Sequence, residues 1–200
     1  MRILGTNVGF IESVIAVCFL AFMAIQIGGR AAIHLLVLSP GTVLLFPWTV
    51  ISSIFTHAEV THLIFNMIGM YIWGSYLQSI IGEKRLIRVF FAGGLLGSVF
   101  SVLIYSISNP GVYVLGASGA IFAIAACLAM LRPNMRIIMI PVPIPMQLWK
   151  AVFGFMLILS FIPGTAWPGH LGGLVAGALM GHFYKKGGIG KAPSHGFRFS

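Results

Sequence analysis

Six runs of mostly apolar residues, separated by short turns, constrain this chain more than any other feature of its sequence. They cover residues 11–27, 62–81, 86–107, 117–131, 146–162 and 169–184. A helix that crosses a bilayer needs about 20 such residues. Only 8% of the 200 residues are charged, against roughly 25% in soluble domains, so most of the surface is expected to face lipid. We therefore predict an all-α, integral membrane bundle of six transmembrane helices, with the short fourth and sixth helices inside it.

The segments between and after these runs complete the predicted organisation. Residues 28–61 contain Trp48 but no clean span, so we expect a long folded loop embedded at the membrane interface between helices 1 and 2. Residues 1–184 are predicted to form one membrane domain. Residues 185–200 are Gly-rich and basic, which predicts a disordered cytoplasmic tail.

The distribution of basic residues predicts the orientation. With six spans, nearly all of them fall on one side of the membrane: Arg2, Lys84, Arg85, Arg88, Arg132, Arg136, Lys150, Lys185, Lys186, Lys191 and Arg198. Only Arg30 falls on the other side. The positive-inside rule then places both termini in the cytoplasm. The net charge of +9 is spread over short groups between spans rather than over one face, which argues against a nucleic-acid partner.

This orientation brings polar residues from three separate runs to one depth, near the outer leaflet. Span two begins with His62 and carries Asn66 one turn later, span four begins at Ser118, and span six begins at His170. Polar groups at membrane depth are costly and usually face the bundle interior or a wet cavity. Their convergence is what an active site would require.

The neighbouring small residues favour close helix packing. Gly116 and Gly119 flank Ser118, and Gly173 and Gly177 follow His170 on the last span. Stripes of small residues allow two helix backbones to approach each other. A serine and a histidine on different helices need that approach, because proton transfer requires the oxygen and nitrogen to lie within about 3 Å.

The few acidic residues limit the catalytic mechanisms that are possible for this chain. The chain has no Asp, and its acids are Glu12, Glu59 and Glu83, of which only Glu59 is expected on the outer side. A Ser-His-Asp triad and a two-carboxylate protease site are therefore excluded. A Ser-His dyad remains, in which His170 would take the proton from Ser118, with His62 and Asn66 as candidate oxyanion donors.

The same residues carry a resemblance to the rhomboid family of intramembrane serine proteases. Residues 116–119 match the family's G-x-S-G motif, residues 57–66 resemble its second-helix signature of two histidines and an asparagine, and residues 169–173 resemble its last-helix histidine-glycine motif. The resemblance covers roughly residues 47–181 and implies peptide hydrolysis with Ser118 as nucleophile and His170 as base.

The resemblance further implies the rest of the site and its partners. The oxyanion hole would consist of His62, Asn66 and the Ser118 N–H, no cofactor or metal would be needed, and single-span membrane proteins would enter laterally as substrates. Where many bacterial members have a tyrosine that packs on the base, this chain has Phe122, which can still stack. Where the family often has a glutamate late in span two, it has Gln78.

By analogy with the family, the fifth span is expected to form the substrate gate. Its aromatic residues are Trp149, Phe153 and Phe155. The loop over residues 163–169 is expected to act as a lid. The orientation places the site on the outer side of a plasma or inner membrane.

Two other classes of function compete with the protease hypothesis. A catalytically silent rhomboid-like scaffold would bind membrane clients without cutting them, although such proteins usually lack the serine or the histidine. A small transporter or metal channel could use His57, His62 and His170, although the outer halves of the spans lack acids for a cation path. Taken singly, Ser118 and His170 could also be ordinary helix-packing residues.

Overall fold

The computed structural model describes residues 2–3, 6–7, 9–139, 142–162 and 164–189. Its helices are α1 (Phe10–Leu36), α2 (Thr49–Ser52), α3 (Val60–Ile81), α4 (Glu83–Ser108), α5 (Ser118–Leu131), α6 (Leu148–Lys150), α7 (Leu157–Leu159) and α8 (Trp167–Lys186). A 3-10 turn over Ser53–Phe55 follows α2, and a π-helical turn over Ala151–Met156 joins α6 to α7. We call the continuous stretch from α6 through α7 the 148–159 segment.

Two small antiparallel hairpins accompany the helices. Strands β1 (Arg2–Ile3) and β2 (Thr6–Asn7) pair near the N-terminus. Strands β3 (Arg136–Met139) and β4 (Val142–Gln147) pair between α5 and α6. Neither hairpin was predicted from the sequence, because the surrounding apolar runs carry no alternating pattern that would separate a short strand from a connector.

Five of the six predicted spans begin and end within a few residues of an observed helical segment, but the first one does not. Helix α1 continues to Leu36, so the prediction that the chain leaves the helix at Gly28 is wrong. Gly29 adopts φ 53° and kinks the helix, and helical hydrogen bonding resumes after it. The loop therefore covers only residues 37–59, and α2 adds a short helix that the six-helix prediction did not contain.

Length and hydropathy support a membrane protein. Within the described residues, α1 and α4 are long and apolar enough to cross a bilayer, with mean hydropathies of 2.3 and 2.0. Many large apolar side chains lie on the surface, including Ile27, Leu44 and Ile107, each more than four-fifths exposed. Exposed apolar area on this scale is typical of a surface that contacts lipid or a partner.

Helix α5 lies at the centre of the bundle, packed against α3, α4 and α8. Ten of its 14 residues are buried, and five of these ten are alanines. A helix surrounded by other helices does not need the full length of a lipid-exposed span. Its central position explains how so short an apolar run is accommodated.

Glycines set the distance between α5 and α8. A Cβ added at Gly173 would overlap the carbonyl oxygen of Gly119, and one added at Gly177 would overlap the carbonyl oxygen of Ala123. The two backbones therefore touch directly along this seam. Such contact brings the first turn of α8 against the first turn of α5.

The loop between α1 and α3 fixes the chain that leads into α5. Leu38 and Val114 exchange backbone hydrogen bonds, with N···O distances of 3.2 and 2.8 Å. The Gly41 N–H donates to the Pro110 carbonyl at 2.8 Å, and the Gly116 N–H donates to the Ser53 carbonyl at 2.9 Å. These contacts anchor the approach to Ser118 at several points.

Candidate active site

Ser118 and His170 lie within hydrogen-bonding distance of each other. Ser118 is the first residue of α5, and His170 lies in the first turn of α8. The His170 Nε2 is 2.9 Å from the Ser118 Oγ. Both side chains are only partly buried, so both remain partly accessible. The sequence predicted this proximity, and the glycine seam between the two helices is what permits it.

Two further side chains hold the imidazole of His170. The Phe122 ring stacks on it, with centroids 4.2 Å apart and planes 12° apart. On its far edge, the His170 Nδ1 lies 2.9 Å from the Ser160 Oγ. Phe122 was predicted to stack in this way. Ser160 was missed, and its only signal in the sequence is that it is a polar residue near the C-terminal end of the fifth apolar run.

Asn66 and His62 occupy the next positions around Ser118. The Asn66 side-chain Nδ2 donates to the His62 carbonyl at 2.8 Å. This bond uses one of the two amide hydrogens, and the buried Asn66 Oδ1 has no partner within the described residues. His62 and Asn66 line the same cavity as Ser118 and His170. An amide with an unused hydrogen beside a nucleophile could donate to a developing oxyanion.

Gly116 is required by its backbone conformation and its surroundings. It adopts φ +113°, which L side chains rarely adopt. A Cβ at this position would also lie 2.7 Å from the His62 Cε1. Gly116 therefore permits both the sharp turn before α5 and the close position of His62.

His57 supports the same turn from the loop. It is fully buried, and its Nε2 accepts a hydrogen bond from the Ala117 N–H at 3.4 Å, while its Nδ1 lies 3.3 Å from the Phe55 carbonyl. Burial, together with the nearby His62, lowers the pKa of His57 to about 4. A neutral ring that donates through Nδ1 and accepts through Nε2 satisfies both contacts.

A cavity of about 710 Å³ opens above the Ser118–His170 pair. It is lined by polar and aromatic side chains of several elements, including Glu59, Tyr105, Asn109 and Tyr113, and by residues 164–166 of the predicted lid. The volume is sufficient for several residues of an unwound peptide. Residue 163 and the side chain of Phe155 lie outside the described residues, so the parts of the predicted lid and gate that they form do too.

The first backbone N–H groups of α5 are further hydrogen-bond donors at the site. The earliest N–H groups of a helix have no carbonyl partner within it, and in α5 the regular bonds begin with the Ile121 N–H donating to the Ala117 carbonyl at 3.0 Å. Among the described residues no hydrogen bond uses the Ser118 N–H, so it can donate to an anion formed beside its own Oγ. A hydroxyl, an imidazole base and nearby donors are the groups that acyl transfer requires.

Metal binding finds less support in the side-chain arrangement. Across the part of the chain that the structure describes, no three His, Cys, Asp or Glu side chains are grouped closely enough to hold a metal ion. The set His57, His62 and His170 is therefore not such a group.

Comparison with known proteins gives a family match over most of the chain. Residues 46–187 match the Rhomboid domain family. Rhomboid protein 1, mitochondrial, of Saccharomyces cerevisiae is 28% identical over 145 residues, covering 69% of this chain and 42% of that protein. RHOMBOID-like protein 12, mitochondrial, of Arabidopsis thaliana is 32% identical over 161 residues, covering 70% and 47%.

A bacterial relative carries an enzyme name. Rhomboid protease AarA of Providencia stuartii is 29% identical over 157 residues, covering 68% of this chain and 56% of that protein. In all three cases the matched region is only about half of the relative's length.

Proposed function

Since this chain belongs to the rhomboid family, we propose that it is an intramembrane serine endopeptidase that acts through a Ser118–His170 dyad. The observation that carries the proposal is the 2.9 Å contact between the His170 Nε2 and the Ser118 Oγ at the floor of a cavity. Relatives named as proteases support the same class of reaction. The alternative, a catalytically silent scaffold, has no use for this contact.

The proposed reaction has two steps. In the first, His170 removes the proton of Ser118 as the Oγ attacks the scissile carbonyl, and then gives that proton to the leaving amine as the C–N bond breaks. In the second, a water molecule activated by His170 hydrolyses the resulting ester and restores the hydroxyl. The Ser118 N–H, Asn66 and His62 would hold the oxyanion formed in each step.

The dyad would operate without a carboxylate partner. The chain has no Asp, and Glu59, the acid nearest to the site, lies exposed at the edge of the cavity. Orientation of the base would rest instead on the stacked ring of Phe122 and the contacts of the imidazole edge. No cofactor is required for this chemistry.

The proposed topology has six spans, with both termini in the cytoplasm and the site open to the outer side. The Phe10 N–H donates to the Glu83 Oε2 at 3.1 Å, which supports placing the starts of α1 and α4 on the same side. The basic residues flanking these starts favour the cytoplasmic side. The proposed location is a plasma or inner membrane, and two of the relatives are named as mitochondrial.

Single-span membrane proteins are the proposed substrates. A transmembrane helix must unwind locally before its backbone can reach a serine, because helical carbonyls are hydrogen-bonded and shielded. The cavity is large enough for such an unwound stretch. The 148–159 segment, with its π-helical turn, is the proposed gate through which the substrate helix enters from the bilayer.

The decisive experiment compares the wild type with Ser118→Ala and a matched Ser106→Ala control. Ser106 is an exposed serine on α4 whose hydroxyl bonds, among the residues that the structure describes, only to the Val102 carbonyl. We expect Ser118→Ala to abolish cleavage of a panel of single-span substrates and labelling by a fluorophosphonate probe, with an unchanged melting temperature. Ser106→Ala should behave like the wild type. Full activity in Ser118→Ala would exclude the proposed mechanism, and substrate capture without any cleavage by the wild type would favour the scaffold.

A further inference from the structure

Ser160 occupies a buried position at the edge of the proposed base. It follows directly on the 148–159 segment and is 1% exposed. Its Oγ makes two polar contacts, one with the Met156 carbonyl at 2.9 Å and one with the His170 Nδ1 at 2.9 Å. The hydroxyl therefore connects the end of one helical segment to the imidazole on α8.

Counting protons assigns a direction to both contacts. A carbonyl oxygen can only accept, so the single proton of the Ser160 hydroxyl must lie toward Met156. If that proton pointed at His170 instead, two oxygens would face each other at 2.9 Å with no hydrogen between them. The Ser160 Oγ is thus left as an acceptor, and the His170 Nδ1 must carry the hydrogen.

This direction determines which nitrogen of His170 is the base. A neutral imidazole with its hydrogen on Nδ1 has its lone pair on Nε2. Nε2 is the nitrogen that lies 2.9 Å from the Ser118 Oγ. The hydrogen bond from Nδ1 to Ser160 therefore selects the tautomer that can remove the proton of Ser118.

We propose that Ser160 is a positioning residue that holds His170 in the Nδ1–H tautomer and in line with Ser118. The inference rests on the proposed function, since the tautomer matters only if His170 acts as a base. Ser160 takes the place on the imidazole that a carboxylate takes in a triad, but as a neutral acceptor.

The position of Ser160 makes the base depend on the end of the 148–159 segment. Met156, which accepts the hydroxyl proton, is the last residue of the π-helical turn. The Thr165 hydroxyl shares its single proton between the carbonyls of Ser160 and Ile162, which ties the residues after the segment to Thr165. Displacement of this end of the segment would remove the hydrogen-bond acceptor from the His170 Nδ1. The Nδ1–H tautomer would then no longer be favoured.

The expected size of the effect follows from the neutral charge of the hydroxyl. A carboxylate stabilises the imidazolium and selects the tautomer, and losing that selection costs about 10⁴-fold in kcat. A neutral hydrogen bond contributes far less, so Ser160→Ala should lower kcat by about tenfold. KM should stay within about twofold, because the Ser160 hydroxyl faces His170 and not the cavity.

Two variants provide the kinetic controls. Ser160→Thr keeps the hydroxyl, and the backbone there is helical (φ −65°, ψ −19°), so most of the kcat should return. Ser13→Ala removes a similar hydroxyl that bonds to the carbonyl four residues earlier, Gly9, at 2.8 Å. It lies on α1, away from His170, and should leave kcat unchanged. An equal loss of kcat in Ser13→Ala would overturn the inference.

The direct test is the ¹⁵N spectrum of the protein labelled in its histidines, with His170 assigned by the signal lost in His170→Gln. The wild type should show a protonated, pyrrole-type Nδ1 and an unprotonated, pyridine-type Nε2, and Ser160→Ala should show a mixture of both tautomers. A wild type protonated at Nε2, or a Ser160→Ala spectrum identical to the wild type, would overturn the role of Ser160. This reading needs no substrate, so it is separable from failure of the proposed protease activity.

Discussion

The substitution Gly173→Ala tests whether the glycine seam sets the distance between the nucleophile and the base. The added Cβ would overlap the Gly119 carbonyl oxygen and lie 3.2 Å from the Gly119 Cα. Both atoms are backbone, so no side chain can rotate away. The first turns of α5 and α8 must therefore separate by about 1 Å to reach ordinary contact.

The consequence for the site can be worked out from the present geometry. The distance from the Ser118 Oγ to the His170 Nε2 is 2.9 Å, and a shift of about 1 Å takes it beyond hydrogen-bonding range. A misplacement of this size costs about 100-fold in kcat. Overpacking should destabilise the fold by about 1–3 kcal/mol, offset by up to about 1 kcal/mol because alanine favours the helix more than glycine does.

The assay measures cleavage of a transmembrane substrate in liposomes, together with the melting temperature. Gly187→Ala is the matched control, because it ends the same helix and its Cβ would meet the Phe183 and Tyr184 carbonyl oxygens at ordinary distances of 3.4 and 3.6 Å. The control should retain wild-type kcat. Wild-type kcat in Gly173→Ala would refute the argument that the seam fixes the dyad. Loss of kcat in both variants would refute it as well.

Three further predictions concern the support of the site. Gly116→Ala should lower kcat by more than tenfold, measured on the same substrate, because φ +113° is strained for alanine and its Cβ would lie 2.7 Å from His62. Phe122→Ala should lower kcat about two- to tenfold through loss of a ring contact worth about 0.5–1.5 kcal/mol, whereas Phe122→Tyr should keep it. Burial and His62 lower the pKa of His57 from 6.5 to about 4, so the folded ring stays neutral where the unfolded chain takes up a proton. The free energy of unfolding should therefore fall as the pH drops from 6.5 to about 4, and a pH series of melting curves should show a shallower slope for His57→Gln.

The residues that the sequence could locate are those whose positions follow from helix ends. Ser118, His170 and His62 each lie near the start of an apolar run, and the alternation of spans is enough to bring such starts to one face of a bundle. Glycine spacing then predicts which helices touch. Neither argument depends on the path of a loop, which explains why the Ser118–His170 contact was predictable.

The contacts that escaped prediction depend on loop paths and on local irregularities. The bond from the Ala117 N–H to His57 needs the folded loop over residues 37–59, which has no periodicity to read. The contact between Ser160 and His170 needs the turn after the 148–159 segment, whose π-helical geometry shifts side chains from their regular helical positions. Helix α1 resumes after the kink at Gly29, although the first apolar run was predicted to end at residue 27.

The neutral surroundings of His170 have a physical reason if the site lies within the bilayer. A carboxylate there would have to be stripped of water, at a cost of several kcal/mol, and this chain supplies none beside the imidazole. Phe122 and Ser160 orient the ring without introducing charge. Without a carboxylate the imidazolium is less stabilised during the reaction. More of the rate must therefore come from accurate placement of the nucleophile and the base. That requirement is why a single methyl group at Gly173 is expected to cost more activity than the loss of the Ser160 hydroxyl.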